Sequence, residues 1–580
     1  MKTQTRLPAG TREPALPTQV TGAPALGVRH LLLAGLLLAA ATVLPYVRTW
    51  RYDLIYLDDV FFVREGRWFF EDWHNLPKVF TNHVWEFFGQ ESSLYRPLLL
   101  LPRFFEVALF GTSPGPYHVL NTGLHFASVL VLFALLLRLI GDLRASLVAA
   151  LLFALHPAHV PAIAWIEGNN NTMTALFVLA AVLLVLLAVQ TGRVRYGLLS
   201  GATWLLALLT KESAVATPLL ALGVVWLWRS SDGRKADSVH LNPRLLGPTA
   251  AAWGLAFVTW FVLRAHAIPE TPELESDYLR ASVGRGWPGL LLYWGKVFLP
   301  FNLVPLPILR DSALWLGIAA TAIYGYALAR ARRGNRRALV LAVLWFGLLI
   351  SPSLLVSRLE TPSGAIFRED RMYQASIGVF IALAFLLRGF LAKHRRPTLA
   401  VAAVCAAAWL ALGQARMGHY ADGMSYWTAA VKGSPSLSLA HQLLAVMHHR
   451  AGDFASEKAE LMRALQLNPR LDGLNNDVGA MLIREGSYAE ADRHFQAELM
   501  LYPDAEKAHY NRGLLKFHFK EYAAAAEHLN RYLQLTKDPE DSSLRRNARA
   551  MLTDMEGASR SMKERQLAEE PPARKPGGTT

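Results

Sequence analysis

Residues 31–59 read LLLAGLLLAAATVLPYVRTWRYDLIYLDD, an apolar run that is followed, after a short polar stretch, by the acidic pair Asp58-Asp59. The run has the length of a helix that crosses a bilayer. Two carboxylates at a membrane surface are costly unless water, a cation or a substrate uses them. The pair therefore predicts either a general base or a cap for the short helix that begins at Val60.

Similar apolar blocks recur up to about residue 416 and predict an all-α fold with a polytopic membrane helix bundle. The chain has 580 residues, of which 53% are hydrophobic. Each block is about as long as a bilayer is thick. We predict eleven to 13 spans; the main ones are 29–47, 117–139, 145–156, 172–190, 196–210, 213–228, 249–267, 312–330, 338–356, 373–391 and 398–416, and the shorter candidates are 97–110 and 289–304.

The charge pattern fits a membrane protein. The net charge of +14 is concentrated in short loops and tails, so it does not indicate a nucleic-acid partner. The only cysteine, Cys405, lies in an apolar run, which excludes an intrachain disulfide framework and a cysteine metal site. Residues 1–27 are rich in Pro, Thr, Ala and Gly and predict a disordered cytoplasmic tail.

The late loops predict the topology. Residues 329–337 (ARARRGNRR) and the basic residues at 393–396 should be cytoplasmic, because positive loops stay inside. The loop 357–372 and everything after 416 then lie outside. The first loop, 48–95, is also outside and rich in aromatic residues, which favours short helices lying in the membrane interface.

The sequence after residue 416 is amphipathic and periodic. Pro435, Pro469 and Pro503 are spaced by 34 residues, and Gly479 and Gly513 repeat at the same interval. This period is typical of tetratricopeptide repeats, which stack helix pairs into an α-solenoid. We predict a membrane domain at 28–416, a repeat domain at 417–540 with repeats at 438–471, 472–505 and 506–539, and a capping helix with a disordered tail at 541–580.

Polar side chains interrupt several apolar blocks. Within the bilayer, such residues face the bundle interior or a wet cavity. They could hydrogen-bond helices to each other, or they could line a cavity that binds sugar hydroxyls or a phosphate. The candidates are His118, Asn121, His125, His156, His159, Glu167, Asn169 and Asn171; His156 and His159 lie at a break set by Pro157 and Pro161.

Cations near the outer membrane surface are candidate phosphate ligands. Arg96 opens the stretch after the first loop, Arg371 and Tyr373 precede a later span, and Lys211 separates two apolar blocks. Arginine binds phosphate oxygens well. The alternative is that these side chains only extend towards water from the membrane edge.

The ordered set of motifs resembles a known family, the membrane O-mannosyltransferases that carry tetratricopeptide repeats. The matching segments are YLDD at 56–59, YRPL at 95–98, YHVLNTGLH at 117–125, LFALHPAH at 152–159, KES at 211–213 and RMYQASIG at 371–378. The family often has Glu where this chain has Pro161, and Arg and Asp where it has Asn169 and Asn171.

The resemblance implies transfer of a sugar, mannose in this family, from a polyprenyl phosphate carrier at the external membrane face. It implies a base at Asp58 or Asp59 and carrier-phosphate contacts among Arg96 and Arg371. No cofactor is firmly implied, although a divalent cation near the acidic pair is compatible with it.

We therefore predict a glycosyltransferase that acts on a hydroxyl of a protein or glycan held by the repeats, with membrane lipid as its surroundings. The abundance of Ala, Leu, Arg and Gly favours a bacterial inner membrane with the repeats in the periplasm. One alternative is a non-catalytic scaffold whose repeats bind partners. Another is a lipid-linked polysaccharide ligase, although the late loop 357–372 is short for that class.

Overall fold

The computed structural model describes residues 27–89, 92–231, 243–268, 276–355, 366–536 and 542–569. Nearly all of the predicted N-terminal tail lies outside the described residues, as does the end of the predicted C-terminal tail. Residues 356–365 of the loop before the last two membrane helices are also outside them.

The predicted apolar blocks lie on helices, although the helix at the shorter candidate 289–304 ends at Phe298. The all-α fold class is confirmed. The long helices of the membrane domain are Val28–Val43, Pro97–Phe110, Pro114–Ile140, Leu143–Leu155, Asn169–Thr191, Val194–Thr210, Thr217–Ser231, Pro243–Ala267, Ser276–Phe298, Leu314–Arg330, Arg333–Leu355, Met372–Lys393 and Arg395–Met417.

The number of full spans is smaller than the predicted eleven to 13. In the described part of the chain, eight helical segments are long and apolar enough to cross a bilayer, or nine if one bent pair forms a single span. Two further helices, Val194–Thr210 and Leu314–Arg330, have only 17 residues each. The apolar spans make the chain an integral membrane protein, with some helices shorter than a bilayer requires.

The predicted break at Pro157 and Pro161 is present. The helix Leu143–Leu155 is followed by the segment Pro157–Ala164 at an angle of 50°. Proline lacks a backbone N–H and cannot continue the hydrogen-bond pattern of the preceding turn. The break brings the next turn, Ile166–Gly168, to the start of the helix Asn169–Thr191.

The aromatic loop after the first span folds into short helices, as predicted. Its aromatic side chains pack in a cluster against the helix Pro97–Phe110, and Phe62, Phe69 and Phe104 are buried there. The short helical segments are Leu44–Arg51, Phe61–Glu65, Arg67–Glu71, Trp73–Asn75, Lys78–Thr81 and Glu86–Phe88.

The periodic segment forms helix pairs with the 34-residue spacing of its prolines. Glycine is needed where paired helices touch: a Cβ on Gly479 would lie 2.6 Å from Phe495, and one on Gly513 would lie 2.8 Å from Leu529. The helices are Gly423–Gly433, Ser438–Ala451, Phe454–Leu467, Leu474–Arg484, Tyr488–Leu501, Glu506–His518, Tyr522–Leu535 and Ser543–Glu569.

A hydrogen bond recurs with the same period. A carbonyl oxygen only accepts, so the side-chain nitrogen opposite each proline carbonyl is the donor. Each bond ties the first helix of a pair to the turn before it. The bonds run from His441 Nε2 to Pro435 O (3.1 Å), from Asn475 Nδ2 to Pro469 O (3.0 Å) and from His509 Nε2 to Pro503 O (2.9 Å).

The helix Gly423–Gly433 connects the membrane domain to the repeats and packs on the loop 48–95. Trp427 Nε1 donates to Ile55 O at 2.9 Å, and the backbone N–H of Asp53 donates to Ala421 O at 2.9 Å. These bonds place the periodic segment directly beside the acidic pair.

Candidate functional site

A cavity of about 310 Å³ lies where the loop 48–95 meets the ends of several membrane helices. Most of its polar lining is charged, which is costly at the edge of a bilayer and marks a functional site. The cations on its wall are Arg96, Lys211, Arg264, Arg368 and Arg371, and the carboxylates are Asp58, Glu167, Glu212 and Asp370.

Asp58 faces this cavity and is lightly engaged. Its side chain is 33% exposed, and the one salt bridge described for it is a 3.4 Å contact with Arg368. The other three carboxylates of the lining are less exposed and have shorter polar contacts. Asp58 is therefore the carboxylate of the lining that is most accessible to a substrate.

Asp59 points the other way and organises the loop. It is buried, and its two oxygens accept from the backbone N–H groups of Ile55 (2.7 Å), Leu57 (3.0 Å) and Val60 (3.0 Å). Asp59 thus bonds the loop before it and does not cap the next helix, Phe61–Glu65, which has no side-chain cap bond at its start within the described residues. Asp58 has the exposure that a base requires.

We expect the stability of the protein to fall with rising pH because of Asp59. Burial, only partly offset by its backbone hydrogen bonds, raises the pKa of this carboxyl from 3.8 to about 6. The folded state therefore binds the proton more tightly than the unfolded chain, and about 2–3 kcal/mol of stability is lost between pH 4 and 6. Unfolding titrations across this range measure the effect. Asp59→Asn should flatten that part of the profile, and an unchanged slope in this variant would assign the titration to another group.

The loop before the acidic pair is held by the repeats. Tyr56 has φ of +59°, a left-handed conformation that is uncommon outside glycine. Its hydroxyl accepts from Arg64 Nη1 at 2.9 Å, and the guanidinium of Arg450, from the first repeat, lies 4.2 Å from the ring centre. The periodic segment thus contributes a contact two residues from Asp58.

Arg450→Gln should lower turnover about three- to tenfold. The variant removes a cation–π contact of about 0.5–2 kcal/mol and loosens the strained Tyr56 turn that positions Asp58. Initial rates at saturating donor, in the sugar transfer that the sequence motifs lead us to expect, measure the effect. Arg463→Gln is the matched control, because Arg463 is exposed on the same repeat and bonds only Gln466 among the described residues. Equal rates in the two variants would contradict the positioning role.

A chain of polar contacts runs along one wall of the cavity. Lys211 Nζ donates to Asn171 Oδ1 at 2.6 Å, and Asn171 Nδ2 donates to Asp370 Oδ2 at 2.8 Å. Asp370 also accepts from Arg368 Nε at 3.2 Å, and the Arg368 guanidinium stacks over Trp165 at 4.3 Å. The wall is therefore fixed by contacts between elements far apart in the sequence.

The other predicted phosphate ligands divide into two groups. Arg96 and Arg371 line the cavity, where Arg96 is bonded to Glu212 (2.9 and 3.0 Å) and Arg371 donates to Ser353 O at 2.9 Å. Tyr373 lies outside the lining. Its hydroxyl is 2.7 Å from Nδ1 of His125, in the helix bundle.

Most of the predicted polar-cavity residues hydrogen-bond helices to one another instead of lining this cavity. Ring nitrogens of His125, His156 and His159 lie opposite the carbonyls of Ala154, Val297 and Phe153. Asn121 likewise donates to Trp165 O at 2.9 Å. Of the eight candidates, Glu167 lines the cavity, Asn171 lies directly behind it, and the rest, including His118 and Asn169, are buried elsewhere.

The structure adds residues that the sequence reasoning did not select: Asn170, Glu212, Arg264, Arg368 and Asp370. Four of them had a signal. Arg368 and Asp370 flank Glu369 in a charged run just before an apolar block, Glu212 follows Lys211 in the segment KES, and Asn170 lies in a run of three asparagines. Arg264 had none beyond its place near the end of an apolar helix.

The acidic pair has few possible partners for a metal. Among the residues described, no group of three or more His, Cys, Asp and Glu side chains is arranged to hold an ion. A divalent cation beside Asp58 would need oxygen ligands from a substrate or from water.

Comparison with known proteins identifies relatives of part of the chain. Residues 106–247 match the family model described as dolichyl-phosphate-mannose-protein mannosyltransferase. Protein O-mannosyl-transferase TMTC3 of Mus musculus is 40% identical over 111 residues, which is 19% of this chain and 12% of that protein. Protein O-mannosyl-transferase TMTC4 of Homo sapiens is 25% identical over 371 residues, 53% of this chain and 49% of that protein.

A solved structure, the archaeal oligosaccharyltransferase AglB from Archaeoglobus fulgidus, aligns with a TM-score of 0.39 at 14% identity. The alignment covers 72% of this chain and 60% of that one. The chain thus spans about half or less of the length of the curated relatives described above. The resemblance predicted from the ordered motifs is confirmed by these matches to parts of the chain.

Proposed function

We propose that this protein is a membrane glycosyltransferase that transfers a hexose, mannose in the first instance, from a polyprenyl phosphate to a hydroxyl group of a protein or glycan. The observation that carries the proposal is the position of Asp58, a lightly engaged carboxylate in a cavity that is also lined by five cationic side chains. The mannosyltransferase relatives support the same chemistry.

The mechanism is a direct displacement. The Asp58 carboxylate takes the proton of the acceptor hydroxyl while the hydroxyl oxygen bonds to the anomeric carbon of the sugar. The bond between that carbon and the phosphate oxygen breaks, and its electron pair leaves with the polyprenyl phosphate. Arg371 and Lys211 stabilise the charge that develops on the leaving phosphate, with Arg368 between them and Asp58.

The cations differ in how available they are to that phosphate. Arg96 is already paired with Glu212, whereas the partners of Arg371 are neutral, the carbonyl of Ser353 and the hydroxyl of Tyr293. Lys211 contacts a neutral amide, Asn171, where the related family often has a carboxylate. We assign the main phosphate contacts to Arg371 and Lys211, and a supporting role to Arg96.

The repeats would present the acceptor. They lie beside the acidic pair through Trp427 and Arg450, so a segment bound to them is close to Asp58. With the positive loops inside, the cavity and repeats face the external side, which is the periplasm if the membrane is a bacterial inner membrane.

The proposal is tested by release of polyprenyl phosphate. Purified full-length protein is incubated with short-chain polyprenyl phosphomannose and a peptide rich in Ser and Thr, and both the released lipid phosphate and the mannosylated peptide are measured. Release that depends on the peptide supports the transferase. Absence of release from mannose, glucose and galactose donors would contradict it and favour the non-catalytic scaffold.

A further inference from the structure

Two buried side chains of the cavity lining carry oxygen atoms without hydrogen-bond partners. Glu167 is 2% exposed and Asn170 is 7% exposed, and both line the cavity. Within the described part of the chain, Glu167 Oε2 and Asn170 Oδ1 accept no hydrogen bond. An unpaired buried acceptor typically costs about 1–3 kcal/mol, so these two oxygens indicate a ligand that donates to them.

The surroundings of Glu167 leave this carboxylate short of donors. Its Oε1 accepts from Arg103 Nη2 at 2.7 Å, but the same buried guanidinium also pairs with Glu106. One cation therefore faces two carboxylates. The remaining oxygen of Glu167 is left as an acceptor beside the cavity, with no protein group arranged to satisfy it.

The turn that carries Glu167 and Asn170 is tightly packed. Glu167 and Asn170 flank Gly168, and a Cβ on Gly168 would lie 2.5 Å from the carbonyl oxygen of Pro161. The short turn is therefore packed directly on the segment after the proline break. A rigid pair of acceptors is suited to a ligand whose donors have a fixed separation.

The chemistry of the acceptors selects one part of the substrate. A phosphate oxygen cannot donate to a carboxylate and would be repelled by it, whereas a hydroxyl donates readily. Cations for a phosphate, Lys211 and Arg371, line the same cavity. The lining thus offers cations to a phosphate and these two acceptor oxygens to hydroxyl groups.

We infer that Glu167 and Asn170 form a hydroxyl-binding subsite that holds the ring hydroxyls of the transferred sugar. The identity of the ligand rests on the proposed function; the need for a hydroxyl donor rests on the two unpaired oxygens. The hydroxyls of a glycan acceptor could satisfy the same atoms, so the test uses the donor alone.

The test measures binding of the donor without an acceptor. Full-length protein in detergent is titrated with short-chain polyprenyl phosphomannose and with its 2-, 3-, 4- and 6-deoxy analogues. For the wild type, at least one deoxy analogue should bind about tenfold more weakly than the intact probe. Glu167→Gln should bind the intact probe more weakly than the wild type does, by a similar factor. This variant should bind the intact probe and that analogue equally well, because the hydroxyl missing from the analogue is the partner of the carboxylate oxygen missing from the variant.

Two further variants separate binding from folding. Glu106→Gln removes the other carboxylate on Arg103 without touching the cavity lining, and it should keep the discrimination of the wild type. Asn170→Ala tests the subsite independently, because it leaves the ion pairs of Arg103 unchanged. It should abolish discrimination against at least one analogue.

Several outcomes would overturn the subsite: wild-type affinity and discrimination in both Glu167→Gln and Asn170→Ala, the same losses in Glu106→Gln as in Glu167→Gln, or no binding of any probe by the wild type. Discrimination seen only when a glycan acceptor is added would also contradict the subsite, since it would mean that the oxygens of Glu167 and Asn170 bind the acceptor and not the donor. Discrimination between probes without release of polyprenyl phosphate would support the hydroxyl-binding subsite and contradict the proposed transferase. Release without discrimination would support the transferase and contradict the subsite.

Discussion

Asp58→Asn should reduce the release of polyprenyl phosphate by about 10²–10⁴-fold, the range that a general base contributes to proton transfer. The amide has the shape of the carboxylate but cannot take the acceptor's proton. The cost to folding should be small, because the salt bridge of Asp58 to Arg368 spans 3.4 Å and Arg368 keeps its contact with Asp370. Turnover at saturating donor, together with thermal unfolding, measures both effects.

The matched control is Asp72→Asn. Asp72 lies in the same external loop but is exposed and caps the short segment that contains His74. We expect wild-type turnover from this variant. Full turnover in Asp58→Asn, together with loss of turnover in a folded Asp59→Asn, would transfer the role of base to the neighbouring aspartate.

The sequence predicted the helices well because their cause is local. Most of the apolar blocks lie on helices, of which eight in the described part of the chain are long and apolar enough to cross a bilayer, and Pro157 and Pro161 accompany the bend of 50°. The spacing of prolines and glycines likewise reflects helix pairs that contact their neighbours. The count of full spans was less predictable, because the length of a helix depends on where neighbouring elements cover its ends.

The roles of Asp58 and Asp59 could not be separated from the sequence. The two carboxylates are adjacent and chemically alike, and their different directions depend on the left-handed turn at Tyr56 and on three backbone N–H groups that all point to Asp59. That turn is in contact with a residue of the repeats, Arg450, which no local pattern connects to it.

The polar residues inside the spans show the same limit. His125 and Glu167 both lie next to or within apolar segments of the sequence. The histidine hydrogen-bonds Tyr373 from another helix, whereas the carboxylate lines the cavity. Which of the two faces the cavity is decided by how the helices pack. The chain of Lys211, Asn171 and Asp370 joins three such segments and is visible only in the folded protein.

Glu369→Gln should destabilise the protein by about 3–5 kcal/mol, because it leaves buried cations without a counter-charge. Glu369 is fully buried and pairs with Lys296 from the helix Ser276–Phe298 and with Arg416 near the end of the last membrane helix. Arg416 also donates to Pro157 O at 2.9 Å, at the proline break. One carboxylate thus ties three parts of the membrane domain together at the point where the chain enters the repeats.

The double variant Lys296→Met with Glu369→Gln distinguishes charge from shape. Removing one cation together with the carboxylate leaves less uncompensated charge, so the double variant should be more stable than Glu369→Gln alone. Equilibrium unfolding in mixed micelles measures both variants against the wild type. A double variant less stable than Glu369→Gln would mean that the contacts of the Lys296 side chain, and not its charge, hold this junction. Wild-type stability in Glu369→Gln would mean that water or lipid already screens the two cations.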